Sequence, residues 1–276
     1  MTTHDRGADP VEEPVERDPA DEPGRDLDDA PEVSRRRRRG LRLWQETGLL
    51  LALALVLALV IKTFFLQAFY IPSESMEPGL VKNDRILVQK VSYWGSAAPQ
   101  RGDVVVFEDP GGWLDEPAAT DEGFWTSALT RIGLYPTGGH LVKRVIGVEG
   151  DVIECCEEGT GRLIVNGEPI DEKAYTKPGS TRTSSGERCA GPMTGSCRWT
   201  AGPVPEGDIF VMGDNRNRSA DSTVHMCAQN ATDCTPGREF VGTDLVVGKV
   251  FTVVYPFDNF RWVERPDAFE NVPPGQ

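Results

Sequence analysis

The sequence predicts a mainly β domain with insertions, preceded by one transmembrane helix. Three observations carry this prediction. Residues 48–61 form a run without one polar side chain, directly after a cluster of arginines. After residue 70, short runs rich in Val and Ile alternate with Gly, Pro and Asp. No amphipathic helical pattern of ordinary length follows residue 70.

The chain begins with an acidic segment. Residues 1–34 hold twelve acidic side chains and three arginines, so they carry nine of the fourteen net negative charges on the 276-residue chain. Few large apolar residues occur there, and burial cannot offset the chain entropy. Residues 1–46 therefore read as a disordered acidic tail ending in a basic run. A net charge of −5 remains for the other residues. A nucleic-acid partner would need clustered basic charge, so that class of function is excluded.

Five consecutive arginines, residues 35–39, and then Arg42 precede the apolar run. A bilayer core needs roughly 20 residues of helix, and residues 47–68 supply them. Lys62 sits near the far end, where its stem can run toward the headgroups. The aromatic residues from Phe64 to Tyr70 suit the far interface. Arginines on the near side predict a cytoplasmic N-terminus and an extracytoplasmic C-terminal domain. A cleavable signal peptide has a short charged region and a short apolar stretch; more than 40 preceding residues fit that poorly. With no second apolar span, a single crossing is expected.

Residues 69–263 read as the β-rich domain. Strands are expected at residues 85–90, 103–107, 141–147, 151–154, 163–167, 209–212 and 245–255, separated by turn signals. Asn166-Gly167 reads as a tight hairpin turn. Residues 109–139, 171–204 and 223–240 read as loops or insertions, and residues 264–276 as a flexible tail. Six cysteines all follow the apolar run, which favours disulfides in an oxidising compartment. Cys189–Cys197 and Cys227–Cys234 are locally plausible pairs. Cys155 and Cys156 are adjacent, so a bond between them is disfavoured and distant partners are expected.

Four constellations bear on chemistry. Ser73 and Ser75 lie between Pro72 and Pro78, and prolines fix local backbone geometry. Lys143 and Arg144 interrupt an apolar strand, so each face carries one cation among apolar residues. Burial favours neutral lysine, and neutral lysine is the kind of base a serine nucleophile needs. Residues 213–222 form a polar loop dense in hydrogen-bonding groups. Arg101-Gly102-Asp103 reads as a turn feeding a core strand. A histidine triad fits poorly: only His4, His140 and His225 exist, and Ser75 is not in a Gly-x-Ser-x-Gly elbow. Metal chemistry fits poorly too, because His225, Cys227 and Cys234 lack a fourth spaced ligand.

Taken in order after the anchor, these segments resemble bacterial type I signal peptidases. Pro72-Ser73-x-Ser75-Met76-x-Pro78 looks like the nucleophile box. Arg101-Gly102-Asp103-Val104-Val105-Val106-Phe107 looks like the core-strand box. Lys143-Arg144-Val145-Ile146-Gly147 looks like the lysine box. Gly213-Asp214-Asn215-Arg216 with Ser219, Asp221 and Ser222 looks like the final box. The resemblance runs from residue 62 to about 256.

It implies an antiparallel β catalytic domain and a Ser–Lys dyad without cofactor. Ser75 would attack the scissile carbonyl, and Lys143 would take its proton. The Ser75 backbone N–H and the Ser73 hydroxyl would form the oxyanion hole. Ser219 would hydrogen-bond and orient Lys143, and Asp221 would support the loop by pairing with a cation. Ile71, Pro72, Met76, Leu80 and Val142 would line a shallow substrate pocket. The implied substrates are signal peptides of secreted preproteins, bound as an added strand and cut after Ala-x-Ala-like sites. Membrane lipids are the other implied partner, and a monomer is the default.

Three positions depart from the family pattern. Thr223 stands where an arginine is usual, which leaves Arg144 or Arg216 to pair with Asp221. Gly79 replaces a common threonine, and Glu74 occupies a position that is often glycine. Two other readings remain open at this level: a specialised processing peptidase of the same fold, and an inactive anchored β scaffold.

Overall fold

The computed structural model describes residues 33–95, 97–114, 139–179, 198–227 and 234–275. The acidic segment before residue 33, the expected Cys189–Cys197 pair and the middles of the three expected loop segments lie outside these residues.

Helix α1 spans Val33–Val60. Its Leu- and Ala-rich second half consists of strong helix formers. The window Leu43–Val60 has a mean hydropathy of 2.0, and its apolar side chains are exposed all round. Among the described residues it is the one helix long and apolar enough to cross a membrane. A π-helical turn, Ile61–Phe65, follows, and strand β1 begins at Leu66. The expectation of helix to residue 68 is therefore corrected. Leu66–Tyr70 is extended because it pairs antiparallel with residues 85–89, so its backbone groups are satisfied by a neighbouring strand.

The domain after the helix is antiparallel β throughout. Its strands are β1 (Leu66–Tyr70), β2 (Arg85–Gln89), β3 (Val104–Glu108), β4 (His140–Val148), β5 (Ile153–Cys155), β6 (Leu163–Val165), β7 (Glu168–Pro169), β8 (Trp199–Ala201), β9 (Asp208–Met212), β10 (Phe240–Gly242), β11 (Val246–Tyr255) and β12 (Arg261–Trp262). One sheet has the order β1-β2-β11-β3-β4-β9-β10, with β12 on β11; the smaller has β7-β6-β5-β8. Each expected strand is present within a few residues. Asn166 and Gly167 join β6 to β7 with φ of 52° and 82°, the left-handed pair that a tight hairpin turn requires.

Val and Ile runs account for the central strands. Val104, Val105, Val106 and Phe107 of β3 are all buried, as both faces of that strand are covered. One apolar cluster gathers Ile71, Met76, Leu80, Ile86, Val88, Val104, Val106, Val250 and Val253. The loop between β1 and β2 is thus anchored by its own Ile71, Met76 and Leu80. Asp103, at the head of β3, is buried and accepts from Tyr93 Oη at 3.0 Å, Lys249 Nζ at 2.7 Å and Arg265 Nε at 2.9 Å. This bears out the structural reading of the Arg101-Gly102-Asp103 turn.

Residues 264–275 are packed rather than a free tail, a second correction. Phe269 and Val272 are buried in a cluster with Ile153, Leu163 and Phe210. Arg101 donates to the Val272 carbonyl and Asn166 to that of Pro273. Two apolar anchors and these bonds outweigh the Pro- and Gly-rich composition. Cys227 and Cys234 form the expected disulfide. Cys155 is bonded to Cys156, the adjacent pairing that the sequence disfavours.

Candidate active site

The loop between β1 and β2, strand β4 and the loop after β9 converge at Ser75. Ser75 is buried although it lies in an irregular turn. Lys143, in the middle of β4 opposite Val105, places its Nζ 3.0 Å from Ser75 Oγ. Ser73 Oγ lies 3.2 Å from Ser75 Oγ, and Ser73 itself is exposed. The three residues that sequence reasoning singled out for nucleophile, base and oxyanion donor are therefore contiguous.

Lys143 is 5% exposed. Burial pushes its ammonium down from the usual lysine range to about 8, while the carboxylates of Asp221 and Asp214 pull in the opposite direction. Desolvation wins because neither carboxylate forms an ion pair with the amine among the described contacts. A lysine held this way has a substantial neutral fraction near pH 8.

Two expected contacts are corrected. Among the described residues the buried Ser219 hydroxyl has no hydrogen-bond partner, Lys143 included. The described contacts of Asp221 are with neutral donors. It accepts from the Gly213 N–H at 2.9 Å, the Thr223 N–H at 3.1 Å and the Thr223 hydroxyl at 2.8 Å. Asp221 also caps the short helix α2, Ser222–His225. Thr223, the departure from the family pattern, thus supplies its own contact to Asp221.

Both candidate cations have other partners. Arg144 grips Asp214 with Nε and one terminal nitrogen at 2.8 and 2.7 Å and donates to the Gly102 carbonyl at 2.8 Å. Its guanidinium lies 4.5 Å from the Tyr175 ring centroid. Arg216 makes a two-pronged pair with Glu172, and its Nε donates to the Gly213 carbonyl at 2.9 Å. Tyr175 Oη donates to Glu172 at 2.7 Å. Sequence reasoning missed Glu172 and Tyr175 because they fall in a segment read as insertion. The one available signal was that a buried arginine needs an acid, and spacing along the chain does not say which.

The expected substrate-lining residues divide in two. Ile71, Met76 and Leu80 are core residues with at most 2% exposure. Pro72 is exposed and Val142 half-buried against the same cluster. Gly213 leaves room for a close approach between the two loops. A Cβ there would lie 2.3 Å from Ser219 Oγ and 2.5 Å from the Ser75 carbonyl oxygen. Among the described residues no group of His, Cys, Asp and Glu is arranged to hold a metal ion.

The family model described as signal peptidase, peptidase S26, matches residues 44–255. A probable signal peptidase I of Mycobacterium leprae is 38% identical over 232 residues, covering 78% of this chain and 76% of that protein. The signal peptidase I of Mycobacterium tuberculosis is 39% identical over 226 residues, covering 77% and 72%. Among solved structures, a signal peptidase I from Enterococcus faecalis matches at 24% identity and a TM-score of 0.32, covering 55% of this chain and 95% of its own.

Proposed function

The chain belongs to the signal peptidase family, peptidase S26, and from that premise we propose that it removes N-terminal signal peptides from secreted preproteins as a membrane-bound serine endopeptidase. Ser75 is the nucleophile and Lys143 the general base. The observation that carries this reading is the 3.0 Å contact between a buried Lys143 amine and the Ser75 hydroxyl. A neutral amine at that distance is within reach of the proton it must abstract.

The proposed reaction steps are supported by the Lys143–Ser75 contact. Neutral Lys143 takes the Ser75 Oγ proton as Oγ bonds to the scissile carbonyl carbon. The carbonyl oxygen gains the negative charge and is held by the Ser75 N–H and the Ser73 hydroxyl. The ammonium of Lys143 then protonates the leaving amine as the peptide bond breaks. A water molecule, deprotonated by Lys143, hydrolyses the acyl-enzyme and frees Ser75. Asp221 supports the loop after β9 through the Gly213 and Thr223 N–H groups. Ile71, Met76 and Leu80 floor the substrate site and Pro72 and Val142 edge it. The proposed cut follows an Ala-x-Ala-like site.

Helix α1 is the proposed single membrane anchor, with a cytoplasmic N-terminus and an extracytoplasmic β domain. That arrangement puts Ser75, fifteen residues beyond Val60, on the side where a translocated preprotein presents its cut site. Membrane lipids contact the anchor, and the enzyme acts as a monomer. Purified full-length protein should cleave a preprotein at its signal-peptide junction, and Ser75→Ala and Lys143→Ala should not. Cleavage by either variant at the wild-type rate rejects the dyad; an inert wild type favours an anchored scaffold.

The pH dependence is a further expected outcome. Only neutral Lys143 is a base, so kcat/KM should rise with pH through about 8 and level off above it. The free enzyme's rate profile checks this. A limb at the position of an unperturbed lysine, about 10.4, contradicts it.

A further inference from the structure

We propose that Asn215 is a positioning residue that aims the Ser75 N–H at the substrate oxyanion; the inference rests on the Ser75–Lys143 reading. Asn215 is buried at 2% exposure, in the loop after β9. Its two donors take successive carbonyls of the nucleophile turn. The side-chain Nδ2 donates to the Glu74 carbonyl at 3.0 Å, and the backbone N–H donates to the Ser75 carbonyl at 2.9 Å.

The Glu74 carbonyl and the Ser75 N–H belong to one planar peptide group, which is trans here. In a trans peptide the C=O and N–H point in opposite directions. Holding the carbonyl on one side therefore fixes where the N–H points on the other. The Glu77 N–H adds a second, longer bond of 3.2 Å to the same carbonyl. Among the described residues the Ser75 N–H itself donates to no acceptor, so it is free to receive a developing negative charge.

The clamp is stiff because its base is stiff. Asp214 and Arg216, on either side of Asn215, are locked into buried ion pairs with Arg144 and Glu172. Gly213 brings the two loops into backbone contact. Donors that need no reorientation during reaction are those worth most in the transition state. Asn215 bonds the Glu74 and Ser75 carbonyls rather than Ser75 Oγ; it acts through the peptide plane.

The test uses full-length protein in detergent and a peptide carrying an Ala-x-Ala site. Asn215→Ala removes the side-chain donor, and Asn215→Asp keeps its shape while replacing the donor by an acceptor. Removing an oxyanion donor outright costs about 10²–10³ in kcat, so misaiming one should cost about 10- to 100-fold. KM should stay within roughly twofold, because the interaction is made in the transition state. The pH limb of Lys143 should not move. Affinity for an Ala-x-Ala peptide aldehyde, whose adduct places an oxygen in the oxyanion position, should fall in step with kcat/KM. A purely structural role would not produce that parallel.

Wild-type kcat in either variant, a raised KM at unchanged kcat, or unchanged aldehyde affinity overturns the proposal. Loss of the folded state in both variants, read by circular dichroism, also overturns it in favour of a structural role. The wild-type and Ser75→Ala controls keep the two readings apart. If the wild type fails to cleave, or Ser75→Ala cleaves normally, the dyad itself falls and Asn215 with it.

Discussion

Lys143→Met is expected to lower kcat by about 10⁴-fold or more and, at pH 7, to raise the stability of the fold. The first effect follows from losing the only base in contact with Ser75 Oγ among the described residues. The second follows from linkage. The folded state holds the lysine near 8 and the unfolded chain near 10.5. Between those values the unfolded chain binds the extra proton, so wild-type stability rises with pH across that window. Below about 8 both states are charged and the cost of burying the ammonium is fully present. A depression of that size corresponds to about 3 kcal/mol. Methionine fills similar space without a charge, and losing the hydrogen bond to Ser75 returns about 1 kcal/mol. A net gain of about 2 kcal/mol is expected at pH 7, shrinking as pH rises toward 10.5. Urea denaturation of both proteins at pH 7 and at pH 10.5 measures it. A variant less stable than wild type at pH 7 would refute the buried, proton-shedding lysine.

The contact between Lys143 and Ser75 is only partly legible in the sequence. Lys143 and Ser75 are 68 positions apart, and each alone reads as an ordinary surface group. Order along the chain and the resemblance to a family joined them. The strands were legible because β3, β4 and β11 are Val- and Ile-rich runs with turn residues at their ends, a local signal. The hairpin at Asn166-Gly167 was legible for the same reason.

What failed was whatever depends on contacts between distant segments. Leu66, Gln67 and Ala68 look like the end of an apolar helix until β2 offers them a ladder. Phe269 and Val272 sit in a stretch rich in Pro and Gly, yet two apolar side chains suffice to dock it. The sequence predicts a cation partner for Asp221, and Thr223 stands where an arginine is usual. The threonine's own hydroxyl and amide satisfy it, and both nearby arginines were engaged elsewhere. Charge partners are chosen in space, and one sequence holds no record of that choice.

The largest stability loss should come from Glu172→Ala. Glu172 opens a short turn in a segment that composition alone marks as a loop. Arg216, its partner, is wholly inaccessible to solvent. Together with Arg144 and Asp214 they form a buried cluster of two cations and two anions. Removing Glu172 leaves that cluster with an excess positive charge and strips the two-pronged contact from Arg216. Breaking a buried pair from one side costs about 3–5 kcal/mol, a large share of the roughly 5–15 kcal/mol by which a typical protein is folded. For a domain of this size the melting temperature should fall by about 10 °C or more. The same loss should loosen the loop holding Asn215, so kcat should fall in the surviving folded protein. Replacing both partners, Glu172→Leu with Arg216→Leu, removes the charge imbalance and should recover a large part of the loss. Thermal denaturation of the two single variants and the double variant decides the matter. Equal losses in all three would mean that packing, not charge, is what this cluster contributes.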